Sequence, residues 1–235
     1  MWTYFLLIIA AVAAAEEPRT VKVKFLSFDV PECEIAIRNP AGRAENLTIH
    51  AHALSEPRAV LAEDGQLRLF RPLAKPATVA KPATVDKPAT VAEPEPLIAV
   101  ALPPGEANLI AILSGAGPTL RLSLAADNMT SHKAGTIRFF NLCRQPVGLN
   151  LAGARQVIAS GKDLVLNPST KPQEYGQAQF LLADENAQWK TAGGMRWLQL
   201  EDVRSILFLL HAPDESGTVL VRGIEEKMPP PRKGP

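Results

Sequence analysis

Two tandem all-β domains, each sandwich-like or a small barrel and both copies of one duplicated unit, are what this sequence predicts. Three observations carry the prediction: apolar and polar residues alternate along most of the chain, five blocks of the first half recur in order in the second, and no segment shows a helical period.

Alternation begins at Thr20-Val21-Lys22-Val23-Lys24-Phe25, which puts Val21, Val23 and Phe25 on one face of a half-buried strand. Further strands are expected over 34–37, 47–53, 67–70, 98–102, 108–113 and 120–124, with Pro, Gly, Asn and Asp clusters between them.

The repeat opens where Val23-Lys24-Phe25-Leu26-Ser27-Phe28 lines up with Ile137-Arg138-Phe139-Phe140-Asn141-Leu142. Glu34 to Ile37 then resembles Val147 to Leu151, and Leu47-Thr48-Ile49 answers to Leu164-Val165-Leu166. Gly65-Gln66-Leu67-Arg68-Leu69-Phe70 matches Gly176-Gln177-Ala178-Gln179-Phe180-Leu181. The hairpins from Asn108 to Leu122 and from Arg204 to Val221 complete the series. Each match alone is weak, but the shared order over five blocks indicates a tandem duplication.

This alignment divides the chain into a leader at 1–15, a first β domain at 20–126, a linker at 127–134, a second β domain at 135–225 and a proline-rich tail at 226–235. The tract Lys75-Pro76-Ala77-Thr78-Val79-Ala80 recurs from Lys81 and again from Lys87, without a counterpart in the second copy. Proline in every unit cannot supply the N–H groups of a central strand, so residues 74–96 are expected to be an extended insertion between two strands of the first domain.

Residues 1–15 carry no charge, run apolar from Phe5 to Ala14 and end in small residues, the pattern of a signal peptide. The run is shorter than the roughly 20 residues that span a bilayer, so an exported periplasmic or extracellular product without a lasting membrane anchor is expected. With 25 basic and 24 acidic residues, the chain lacks the charge excess that nucleic acid would call for. Export would let Cys33 and Cys143 form a disulfide joining the two copies, the alternative being two buried free thiols.

Residues with chemical potential are mostly explained by local structure. His50 and His52 share a strand face but fall short of the four ligands of a structural zinc site. Ser114 and His211 fall in hairpin turns and show no nucleophile elbow. The acid pairs Asp184-Glu185, Glu201-Asp202 and Asp214-Glu215 read as solvated turns. Asn46-Leu47-Thr48 and Asn128-Met129-Thr130 match the glycosylation acceptor pattern. Tyr175, Trp189 and Trp197 are the aromatic concentration outside the leader; they could stack on sugars or fill a partner's pocket, or else pack under a long loop.

Arg138-Phe139-Phe140-Asn141-Leu142, Pro146-Val147, the late Trp197 and the closing Val221-Arg222-Gly223 resemble uncharacterised exported bacterial all-β proteins over residues 135–224. That resemblance implies an envelope or periplasmic setting and transfers no functional residue. The expected function is a non-enzymatic exported binding or structural module with no metal and no cofactor. The partner would be a protein or a glycan, and the alternative is a carbohydrate-binding or carbohydrate-active protein using Tyr175, Trp189 and Trp197.

Overall fold

The computed structural model describes residues 17–28, 32–51, 53–74, 93–115, 117–128, 130–151, 153–212 and 217–228. The leader, His52, the KPATVA tract over 75–92, Asp214-Glu215 and the tail over 229–235 lie outside the described residues.

The first copy contains Arg19–Ser27 (β1), Glu32–Arg38 (β2), Ala44–His50 (β3), Arg58–Ala62 (β4), Gln66–Phe70 (β5), Pro96–Ala101 (β6), Asn108–Ser114 (β7) and Arg121–Ala126 (β8). The second contains Ile137–Asn141 (β9), Val147–Leu151 (β10), Ala154–Ile158 (β11), Asp163–Leu166 (β12), Tyr175–Ala183 (β13), Trp189–Leu198 (β14), Val203–His211 (β15) and Val219–Lys227 (β16). In the first copy, sheets ordered β4-β1-β7-β8 and β3-β2-β5-β6 face each other; in the second, β12-β9-β15-β16 and β11-β10-β13-β14 repeat that order strand for strand. The sheets stay open, so each unit is a sandwich and not a barrel.

Register repeats as well. β1 and β7 run parallel with Lys24 opposite Ile110 and Phe25 opposite Ala111, and β9 and β15 run parallel with Arg138 opposite Ile206 and Phe139 opposite Leu207. The β5–β6 pair shifts register between Leu69 and Phe70, and the β13–β14 pair shifts at the equivalent Phe180 and Leu181. A bulge adds a residue to one strand and bends it, so its recurrence at the same place marks common descent more sharply than apolar alternation does.

Each sandwich has its own core. Val21, Val23, Phe25, Ile35, Ile37, Leu109, Ala111 and Leu113 centre the first, and Phe139, Val147, Leu149, Phe180, Leu207 and Leu209 the second. A third cluster joins the copies through the backs of their β1–β7 and β9–β15 sheets, giving four layers. It is made of equivalent residues: Leu26 with Phe140, Phe28 with Leu142, Ile110 with Ile206, Ile112 with Phe208, and Ala125 with Ile224. The Phe28 and Phe208 ring centroids lie 4.9 Å apart, and those of Phe140 and Phe208 6.3 Å apart. Because β7 and β15 are covered on both faces, they read as continuous apolar runs, Leu109 to Leu113 and Ile206 to Leu210, where half-buried strands would alternate. We call these two packed sheets inner and the other two outer.

Several expectations are corrected. The counterpart of the strand containing Leu47 and Ile49 is β11, not the segment Leu164 to Leu166, which lies in β12 and answers to β4. Residues 226–227 belong to β16 and not to a tail. The expected linker is packed structure: Asp127 and His132 are buried within it. Of the two states left open for the cysteines, the structure has both as free thiols, Cys143 buried and Cys33 half-buried. Cys33 packs against the first core and Cys143 lies in the second, so no disulfide joins the two copies.

The described strands on either side of the KPATVA tract are β5 and β6. Its base is tied: Arg71 N–H donates to the Glu95 carbonyl at 2.9 Å, and the Asn46 side chain exchanges hydrogen bonds with the Leu73 backbone at 2.8 and 3.0 Å.

Candidate functional site: the outer sheet of the second copy

Alternation along Tyr175-Gly176-Gln177-Ala178-Gln179-Phe180 sends Ala178 and Phe180 into the core and leaves Tyr175, Gln177 and Gln179 on the outer face of β13. Across the strand pair, Tyr175 faces Leu198, Gln177 faces Arg196, and Gln179 faces Gly194. On the other side, Gln179 faces Asn150 of β10, which in turn faces Arg155 of β11. A shallow depression of about 600 Å³ runs over Asn150, Gly153, Gln177, Gln179, Gly194 and Arg196.

Aromatic rings stand at the two ends of this face, each stacked with an arginine. The Arg196 guanidinium lies 5.0 Å from the Tyr175 ring centroid, and Arg155 lies 5.9 Å from that of Trp189. Such stacking holds the ring and leaves guanidinium N–H groups to donate sideways. Trp189 rests on Gly148, where an added Cβ would lie 3.1 Å from the indole. Tyr175 is 65 % exposed and Leu198 beside it 41 %. From Tyr175 to Ala183, the partner of Trp189, is eight steps along β13, about 26 Å at ~3.3 Å per residue.

The same face of the first copy is built differently. Arg38 bridges Glu63 at 3.1 Å and Glu93 at 2.7 Å, and Arg68 bridges Asp64 at 2.8 Å. The shared registers place Asn150 where the first copy has Arg38, and Gln179 where it has Arg68. A surface closed by internal ion pairs is thus replaced by one of neutral amides, each able to donate and accept. The contact between Asn150 Nδ2 and Gln179 Oε1 is long, 3.5 Å, and Asn150 Oδ1 has no partner.

The three aromatics expected to act together are separated. Trp189 and Tyr175 face outward, but Trp197 faces inward, partly buried against the second core. Its ring closes over Gly176, where a Cβ would come within 2.2 Å of it. The indole Nε1 donates to Gln199 Oε1 at 3.1 Å, and Gln199 Nε2 donates to the Gly135 carbonyl at 2.8 Å. All three residues lie on or at the ends of strands, not under a long loop.

Other sequence candidates resolve into local structure. His50 ends β3 on an exposed site, and no group of three metal-ligating side chains occurs among the described residues. Asp184 caps a turn by accepting from the Asn186 and Gln188 N–H groups at 2.9 Å each. Asn128 Oδ1 accepts from the Thr130 N–H at 2.8 Å. Ser114 and His211 end strands of different copies. Asn150, Gln177, Gln179, Arg155 and Arg196 were missed, although the alternation around Gln177 and Gln179 already set both amides on one face.

The buried charges serve the interface. Arg204, 1 % exposed, donates to Asp127 at 2.7 Å and to Glu226 at 2.8 Å, and Lys24 reaches the same two carboxylates at 3.1 and 2.7 Å. Burial pushes the Asp127 carboxyl up, but Arg204 and Lys24 outweigh it and hold the group below its ordinary value. Arg138, equivalent to Lys24, likewise crosses to the first copy, donating to the Ala126 carbonyl while pairing with Asp163.

No protein-family model and no curated protein matches this chain. Among the described residues, no helix is long and apolar enough to cross a membrane.

Proposed function

We propose that this chain is a non-enzymatic binding module that works outside the cytoplasm, in the envelope or periplasm, and that the outer face of its second copy binds an extended, uncharged glycan. The observation that carries the reading is the exchange of the Arg38 and Arg68 ion pairs of the first copy for Asn150 and Gln179 in the second. Hydroxyl-rich ligands need groups that both donate and accept, which amides supply and closed ion pairs do not. Trp189 and Tyr175 add apolar rings against which sugar C–H faces can lie. The uncharged apolar leader and the resemblance over 135–224 support the exported setting.

A glycan array on the purified chain tests the reading. Binding to at least one neutral polysaccharide is expected, weakened about tenfold or more by Trp189→Ala, a loss of roughly 1.4 kcal/mol. An array without signal, or a signal indifferent to Trp189→Ala and Tyr175→Ala together, would remove it.

A further inference from the structure

The second sandwich has an opening that the first does not share in construction. In the first copy, β1 begins at Arg19, and its residues Arg19 to Val23 pair with β4 from Ala62 to Arg58. Val21, Val60 and Ala62, each at most 1 % exposed, fill that end of the core. In the second copy, β9 begins only at Ile137, the equivalent of Val23, and β12 pairs no further than Leu166 opposite Ile137. Gly135 stands where Val21 would be, with φ +77, outside any strand. The segment that plugs the first core at this end is missing from the second.

What remains is a cavity of about 320 Å³ between the sheets. Ile137, Phe139, Leu151, Leu166 and Trp197 give it an apolar interior. Gln156, Asn167, Ser169, Thr170, Gln177 and Tyr175 supply amides and hydroxyls to its lining. Gln156 shares a face of β11 with the core residue Ile158 but is exposed at the edge strand, which places its amide at the rim of the cavity. No Asp, Glu, Lys or Arg lines the cavity among the described residues, so a charged occupant would lose hydration without gaining a partner. The volume falls at the small end of the roughly 300–1,000 Å³ of ligand sites, and an apolar wall with a few polar groups is their usual composition.

We infer that this cavity is a binding site for an uncharged, ring-sized apolar molecule carrying a hydroxyl or amide, held by Trp197 and Phe139 and hydrogen-bonded by Gln156 or the Asn167–Thr170 segment. The cavity shares Tyr175 and Gln177 at its rim with the outer-sheet face, but its apolar anchors Trp197 and Phe139 take no part in the glycan reading, and the test below uses no glycan, so failure of one does not decide the other.

The test uses the full chain with Trp2 and Trp189 replaced by phenylalanine, which leaves Trp197 as the one remaining tryptophan of three. Cyclohexanol is the probe, with cyclohexanecarboxylate and cyclohexylammonium as matched charged analogues. Cyclohexanol should shift Trp197 emission saturably with an affinity on the order of millimolar, as befits so few atoms, and both charged analogues should bind about tenfold or more weakly. Leu166→Phe, which fills the interior, and Ser169→Tyr, which obstructs the mouth from a segment outside the strands, should each weaken cyclohexanol about tenfold. Absence of a saturable response, equal binding of the charged analogues, or unchanged affinity in a folded Ser169→Tyr chain would overturn the inference.

Discussion

Arg204 of the second copy donates from Nη2 to Asp127, the residue that closes the first copy, at 2.7 Å, with 1 % of its side chain exposed. The same guanidinium reaches Glu226 through Nε and the His132 carbonyl through Nη1, so one arginine ties the end of the first copy, the connecting segment and the last strand.

Removing it should therefore be costly. Arg204→Met would leave Asp127 and Glu226 to Lys24 alone, and breaking one side of a buried ionic network costs about 3–5 kcal/mol. Urea unfolding should show this as a lower midpoint. A loss under about 1 kcal/mol would mean that solvent reaches the cluster.

His132 makes stability depend on pH. Burial, then Arg204 and Arg138, lower its pKa to about 4, against weaker opposing pulls from the Ser205 carbonyl and from Asp127. Nε2 must carry the proton, because it meets the Ser205 carbonyl at 3.2 Å, whereas the buried Nδ1 has no partner. The unfolded chain thus takes up this proton near the ordinary value of 6.5 and the folded chain only near 4. Stability should be full above pH 6.5 and fall as pH drops towards 4, by on the order of 3 kcal/mol from this residue. Asp127, whose folded pKa is lowered, adds a further loss below its ordinary value of 3.8. Denaturation at stepped pH should show the slope, and His132→Gln should flatten it between pH 6.5 and 4.

Gly176→Ala would place a methyl within 2.2 Å of the Trp197 ring, in ordinary extended backbone. The ring must move, since β13 is held on both sides by β10 and β14. A loss of about 1–3 kcal/mol is expected, as for overpacking, with a red shift of Trp197 emission as it turns toward solvent. An unchanged spectrum would contradict the placement of Trp197 against Gly176.

The cysteines should stay thiols, Cys143 buried and Cys33 half-buried. Burial raises the Cys143 pKa to about 11 and raises that of Cys33 as well. Neither is a ready nucleophile at neutral pH. Thiol reagents should leave Cys143 unmodified in the native state and label both residues in denaturant, with intact mass showing two free thiols. A mass lower by two hydrogens would show a bridge.

Much of the architecture was legible because duplication supplies an internal control. The alignment of Val23 to Phe28 with Ile137 to Leu142 is the one that the two parallel pairs repeat, and that of Gly65-Gln66 with Gly176-Gln177 the one that the shared bulge repeats, although neither pairing nor bulge was itself readable. The error at Leu164 to Leu166 arose because β4, Arg58–Ala62, is only five residues long after Pro57 and β11 carries Arg155 and Gln156 at its centre, so neither was read as a strand and the apolar run of β12 was matched to β3 instead. β14 was hidden by Gly193-Gly194, which read as a loop but lies in a ten-residue bulged strand. The candidate site was half visible: period-two alternation set Gln177 and Gln179 on one face, but the arginines over Trp189 and Tyr175 come from partners fixed only by sheet pairing. The third apolar cluster was written in the unbroken runs of β7 and β15, which alternation by itself does not account for.

That cluster is the centre of the account, and Phe208→Asp tests it in one measurement. Phe208 is 1 % exposed on the inner-sheet face that meets the other copy, against Phe28 and Phe140. If the copies pack back to back, a carboxylate there is stranded in an apolar interface, and the unfolding free energy from urea titration should fall by several kcal/mol. A change within about 0.5 kcal/mol, the response of an exposed site, would show that the copies do not share this face.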